Sequence, residues 1–167
     1  LRRSRGLGDV YKRQVIFQNE LFQLIHYEPL SKKCYSVPLL IIPPWINKFY
    51  ILDLKRENSF IQFCLKKNLS VFVISWVNPG TEHKNVSFED YIDNGLLKAS
   101  DVVKRYCKQD QINTIGYCIG GTLLASTLAY LSKKNIKFIK SSTFFTTLTD
   151  FEDPGDLSIF VTDEYLS

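Results

Sequence analysis

The stretch Ile112-Asn113-Thr114-Ile115-Gly116-Tyr117-Cys118-Ile119-Gly120-Gly121-Thr122 joins two different periodicities. Residues 112–117 read as a strand buried on both faces, and residues 120–134 as a helix rich in small side chains. Cys118 stands at the junction, with a glycine two places before it and another two places after. A strand that turns at once into a helix needs a strained residue at the corner. The flanking chain then comes too close for side chains, which is a physical reason for Gly116 and Gly120. The helix directs the positive end of its dipole at the Cys118 sulfur and so favours the thiolate. The N–H of Ile119 is expected to face the oxyanion that develops on the carbonyl oxygen of an acyl group attacked by that sulfur, and Gly121 to complete the set of elbow glycines.

Reading outward, the same alternation of strand and helix recurs. Upstream, residues 39–42 (LLII) and 70–76 (SVFVISW) are apolar runs of buried-strand length. A helix is predicted over 51–67. A longer amphipathic one carries Phe88, Tyr91, Ile92, Leu96, Ala99, Val102, Val103 and Tyr106 at three-and-four spacing. Ser87 and Asp90 read as its capping box. Downstream, 139–148 is a fourth core strand. Lys66-Lys67-Asn68 and Lys133-Lys134-Asn135 are helix stops, with cations at the negative dipole end and asparagine at the left-handed position. Near the start, 21–26 and 35–38 are predicted to form an edge hairpin. Strand and helix in regular alternation with short loops give an α/β fold: a mostly parallel sheet with helices on both faces.

G-x-C-x-G at a strand-to-helix corner resembles the G-x-S-x-G nucleophile elbow of α/β hydrolases. Class I glutamine amidotransferases also carry a cysteine elbow, and a buried structural cysteine beside packing glycines gives the same letters. In the hydrolase fold the second oxyanion donor comes from the loop after an earlier strand, here Pro43-Pro44-Trp45-Ile46-Asn47. Prolines have no N–H, so Trp45 and Ile46 are the candidates. His26 and His83 both precede Cys118, whereas this fold places acid and base after the nucleophile. Asp150, Asp153 and Asp156 follow it too soon. The catalytic Asp and His are therefore expected outside this chain, which reads as a fragment stopping before the last core strands.

The charge of +4 lies wholly in residues 1–14, which hold five of the 21 basic residues and one of the 17 acidic ones. The remainder is neutral, with no electrostatic footprint for nucleic acid. That LRRSRGLGDVYKRQ segment has no apolar periodicity and is expected to be a non-native leader or disordered arm. The domain reading is thus 1–14 leader, 15–150 partial core, and 151–167 the start of a cap or insertion. Cys34, Cys64, Cys107 and Cys118 show no metal-ligand spacing, so no metal site is expected. Cys64 and Cys107 fit as small buried apolar residues. Without an apolar run of spanning length or a signal-peptide centre, a cytoplasmic location is expected.

Residues 38–60 (PLLIIPPWINKFYILDLKRENSF), 71–79 (VFVISWVNP), 88–92 (FEDYI), 112–122 and 146–153 (TTLTDFED) resemble, in order and spacing, the catalytic domain of polyhydroxyalkanoate synthases. The class I type, which works on short-chain substrates, is the most similar. The resemblance implies polymerisation of (R)-3-hydroxyacyl-CoA into polyester with release of CoA, and assigns the nucleophile to Cys118. It also implies a homodimer associated with the polyester granule in the cytoplasm, with acyl-CoA as substrate and no cofactor. A cysteine-dependent hydrolase or thioesterase, or an inactive fragment, is the alternative.

Overall fold

The computed structural model describes residues 13–55, 57–152 and 155. Six strands make its main sheet: β1 Arg13–Gln18, β2 Phe22–Tyr27, β3 Leu39–Ile42, β6 Val71–Trp76, β7 Ile112–Tyr117 and β8 Ile139–Phe145. A small separate hairpin joins β4 Asp53–Lys55 to β5 Asn58–Ser59. The main order is β1-β2-β6-β3-β7-β8. From β6 to β8 the strands are parallel, and β2 and β1 extend the sheet antiparallel.

Side-chain alternation sorts the core onto two faces. Phe22, Leu24, Leu40, Ile42, Phe72 and Ile74 lie on one, under α3 Lys98–Cys107 and α4 Ile119–Lys133. Ile25, Tyr27, Leu39, Ile41, Val71 and Val73 lie on the other, against α1 Phe60–Lys66. β3 is the central strand, with all four of its residues buried. Full burial of each aliphatic side chain stabilises by about 1.5–3 kcal/mol. The chain leaves β3 for β6 on one side and returns to β7 on the other. In an open α/β sheet such a reversal opens a crevice beyond the carboxyl ends of the strands.

The sequence expectations need three corrections. Residues 35–38 form no strand; Tyr35 N–H donates to Asn68 O, and β2 pairs instead with β1. The turn between β1 and β2 is set by Asn19, whose Oδ1 accepts from the N–H groups of Leu21 and Phe22. β1 begins inside the segment read as a leader: Arg13 and Gln14 pair with Tyr27 and His26. The rest of that segment, and most of 151–167, lie outside the described residues.

Second, 51–67 is not one helix. A 3₁₀ turn at Phe49–Leu52 leads into the β4–β5 hairpin, and only Phe60–Lys66 is α-helical. The cause is Asp53, whose buried carboxylate accepts from Ser59 Oγ at 2.7 Å and Tyr27 Oη at 3.2 Å and lies 3.6 Å from Arg13. Ser59 Oγ in turn accepts the Gln62 N–H and starts α1 there.

Third, the long amphipathic helix is interrupted. α2 Phe88–Asp90 passes into a π-helical segment at Tyr91–Leu97 before α3. Its Ser87–Asp90 capping box is formed as the sequence suggests. Asn68 and Asn135 take the expected left-handed φ, 61° and 56°.

Candidate active site

β7 delivers Cys118 to the carboxyl edge of the sheet, immediately before α4. Its backbone sits at φ 55°, ψ −128°, a region in which a non-glycine residue is strained by on the order of 1–3 kcal/mol. Bonds on both sides hold it there. Its N–H donates to Phe145 O at the end of β8 at 2.9 Å, and its carbonyl accepts from Gly121 N at 2.8 Å and Thr122 N at 3.3 Å. The side chain is half-buried, and among the described residues no hydrogen-bond partner reaches its sulfur.

The glycines around it are packed against backbone. A Cβ on Gly116 would stand 2.5 Å from Gly121 Cα, and one on Gly120 would stand 2.3 Å from Ile42 O and 2.7 Å from Pro43 O. One on Gly121 would meet Thr147 Oγ1 at 2.0 Å. The elbow is therefore wedged against the end of β3 on one side and the chain leaving β8 on the other. That second contact is tightened by Thr122, whose hydroxyl donates to Leu148 O at 2.7 Å.

The loop after β3 carries the other predicted donors. Trp45 turns its ring onto Tyr91, stacked at 4.5 Å, with Trp76 and Phe88 edge-on at 5.9 and 6.3 Å. Ile46 is exposed. Among the described residues, the N–H groups of Ile119, Trp45 and Ile46 have no hydrogen-bond acceptor. The arrangement thus offers a half-buried thiol beside uncommitted backbone donors at one edge of the sheet, the parts that acyl transfer requires.

Among the described residues, none of the remaining candidates bonds to the Cys118 sulfur. His26 on β2 is three strands from β7, about 14 Å at the usual strand spacing. It stacks on Phe72 at 4.5 Å, with Tyr106 Oη 3.4 Å from Nδ1. His83 accepts the Gly80 N–H in a loop turn. Asp150 accepts the Glu152 N–H; Asp153 and Asp156 lie outside the described residues. Burial raises the Cys64 thiol to about 11 and the Cys107 thiol in the same direction, which suits inert packing. No group of three or more His, Cys, Asp or Glu side chains among the described residues could hold a metal. No helix among them is long and apolar enough to cross a membrane.

Sequence reasoning missed Phe145, Thr147 and Leu148 as supports of the elbow, and Trp76 as a support of the loop. A usable signal existed: all four stand at or just past the carboxyl ends of parallel strands, where such folds build their sites.

His26 makes one test of the fold. Desolvation by burial holds its pKa below the ordinary 6.5, with the Glu28 charge opposing it. The unfolded chain thus takes up the proton more readily than the folded one. The neutral ring's contribution is complete above about pH 6.5 and is lost as pH falls from there through the folded value. Urea midpoints are expected to drop in that window, and His26→Phe, which keeps a ring on Phe72, is expected to flatten the drop.

Comparisons with known proteins agree on one family. The family described as Poly-beta-hydroxybutyrate polymerase (PhaC) N-terminus matches residues 9–64. The chain is 46% identical over 154 residues to the poly(3-hydroxyalkanoate) polymerase subunit PhaC of Rhizobium etli, covering 92% of this chain and 24% of that protein. It is 47% identical over 147 residues to the poly(3-hydroxyalkanoate) polymerase of Methylorubrum extorquens, covering 88% and 24%. The chain thus spans about a quarter of the length of these relatives. Among solved structures it is similar to the Francisella virulence factor BioJ, with TM-score 0.66 and 17% identity over 99% of this chain and 54% of that one. It is also similar to MGS-MChE2, an alpha/beta hydrolase enzyme from a lagoon-sediment metagenome, with TM-score 0.56 and 10% identity over 81% and 52%. At these identities the structures establish the fold alone, an α/β-hydrolase fold.

Proposed function

The chain belongs to the polyhydroxyalkanoate synthase family, and on that premise we propose that it carries the nucleophile of an acyltransferase that polymerises (R)-3-hydroxyacyl-CoA. Cys118 is that nucleophile. The observation that carries this role is its strained, half-buried position at the β7–α4 corner, beside the uncommitted Ile119 N–H. In the first half-reaction the Cys118 thiolate attacks the thioester carbonyl. A new C–S bond forms, the bond to CoA breaks, and CoA leaves as a thiolate that takes up a proton. In the second, the 3-hydroxyl oxygen of the next hydroxyacyl-CoA attacks the Cys118 thioester: the C–O ester bond forms, the C–S bond to Cys118 breaks and returns the thiolate, and the hydroxyl proton passes to a base. The lengthened acyl-CoA then reloads Cys118 by the first step, releasing CoA. The Ile119 N–H and a donor from Trp45 or Ile46 hold the oxyanion in both steps.

The choice of cysteine follows from the energetics of the group transferred. Acyl-CoA is a thioester, and transfer to a thiolate yields another of similar energy, so the growing chain stays activated for the next hydroxyl. A serine ester would be a deeper resting state. Neither His26 nor His83 bonds to Cys118, and the chain spans about a quarter of its relatives' length, so we assign the base and its carboxylate to the remainder of the complete polypeptide. That polypeptide works as a homodimer at the granule surface in the cytoplasm, with the hydroxyacyl-CoA and the growing polyester as its ligands.

The test is to supply the complete polypeptide with (R)-3-hydroxybutyryl-CoA and to follow both thiol release and product. CoA release with insoluble polyester is the expected result. CoA release with free 3-hydroxy acid and no polymer would replace the polymerase by a thioesterase. No CoA release at all would remove the activity.

A further inference from the structure

We infer that Trp76 is a positioning residue for the acyl-transfer site, acting through the carbonyl of Pro43; this rests on the acyltransferase reading above. Trp76 ends β6, is buried, and donates its indole N–H to Pro43 O at 2.7 Å. That carbonyl is the last fixed point before the loop bearing the Trp45 and Ile46 N–H groups. It is held from both sides: Trp76 bonds it from β6, and the Gly120 backbone on α4 packs directly against it. The one bond therefore sets the loop donors in register with the helix that carries Cys118 and Ile119.

The surroundings of Trp76 are built to keep its ring in place. Tyr91 lies 5.3 Å from it and Phe22 5.9 Å, and Trp45 from the loop itself meets it edge-on. Gly95 leaves the room: a Cβ there would stand 2.9 Å from the Trp76 ring atoms Cη2 and Cζ3. Gly95 sits inside the π-helical segment Tyr91–Leu97, and such segments recur at functional positions in helices. The widened turn places Tyr91 under Trp45 and Gly95 over Trp76 in one stroke.

The experiment uses the complete polymerase with Trp76→Phe, and with position 76 carrying benzothienylalanine, which keeps the bicyclic shape and lacks the N–H. Two rates are read: steady-state CoA release from (R)-3-hydroxybutyryl-CoA, and alkylation of Cys118 by iodoacetamide, which needs the thiolate but no oxyanion donors. In both variants kcat is expected to fall about ten- to a hundredfold, with KM and the alkylation rate within about twofold of wild type. A benzothienylalanine enzyme with wild-type kcat would overturn the proposal, as would a kcat loss matched by an equal loss of alkylation rate. A wild-type enzyme that is alkylated yet releases no CoA would instead overturn the acyltransferase reading.

Discussion

Cys118→Ala in the complete polymerase is expected to lower CoA release by about 10⁴-fold or more, the scale seen when a nucleophile is removed from a set of groups that act as a unit. Folding should hardly change, because the half-buried thiol makes no hydrogen bond to a described residue. The strained backbone supplies a second, less obvious comparison. Alanine at φ 55° keeps the strain that cysteine bears, whereas glycine relieves it. Cys118→Gly is therefore expected to be equally inactive yet more stable than Cys118→Ala by about 1–2 kcal/mol. Chemical denaturation of the two variants side by side measures this difference. Equal stabilities would mean that the elbow stores no strain, and an alanine enzyme of near-normal rate would mean that the nucleophile is another group.

Gly120→Ala should produce the largest loss of folding. Its Cβ would fall 2.3 Å from Ile42 O and 2.7 Å from Pro43 O, both main-chain atoms of the central strand and its exit. Neither has a rotamer to change, so α4 must move off the sheet. A cost above about 3 kcal/mol is expected, beyond the usual range for overpacking, with a soluble yield that falls to match. Gly121→Ala is the informative contrast, because the atoms in its way belong to the Thr147 side chain. Adding Thr147→Ala removes the two nearer contacts and leaves the one to Cβ at 2.9 Å, so it should recover part of the stability lost in Gly121→Ala and none of that lost in Gly120→Ala. Urea midpoints of the five proteins, wild type included, decide the matter. A Gly120→Ala protein of wild-type stability would show that the wedge between elbow and β3 is not tight.

The central sheet was readable because burial on both faces leaves an unbroken apolar run, and LLII at 39–42, VFVISW at 71–76 and the segment before Cys118 have no competing pattern. The elbow was readable for a related reason, since glycines forced by backbone contact stand at fixed offsets from the corner. Elsewhere the code is weaker. Residues 51–67 contain helical spacing, but a single buried carboxylate, Asp53, recruits Ser59, Tyr27 and Arg13 from three other segments and makes a hairpin of the first half. Such long-range polar contacts leave no periodicity. β1 was hidden because Arg13 and Gln14 continue the polar, arginine-rich segment before them, while YSVP at 35–38 has strand-like letters but finds both sides of β2 taken, by β1 and by β6. Trp76 read simply as the end of a strand; its bond to Pro43 depends on how two loops meet in space.

The placement of β3 has a consequence for how the protein is made. Its four residues form the middle of the sheet, yet both neighbours lie downstream: residues 39–41 pair with 71–73, and 39–42 with 113–116. A ribosome adding about 5–20 residues per second therefore extrudes LLII several seconds before the second of its partners exists. During that interval the most apolar tetrapeptide of the core is a nascent edge, open to wrong pairing with other emerging chains. The β1–β2 hairpin is complete before β3 appears and supplies the platform on which β6 docks. Synthesis thus builds this sheet from its flank; the strand that leads to Cys118 covers the open side of β3, and β8 then completes the far edge.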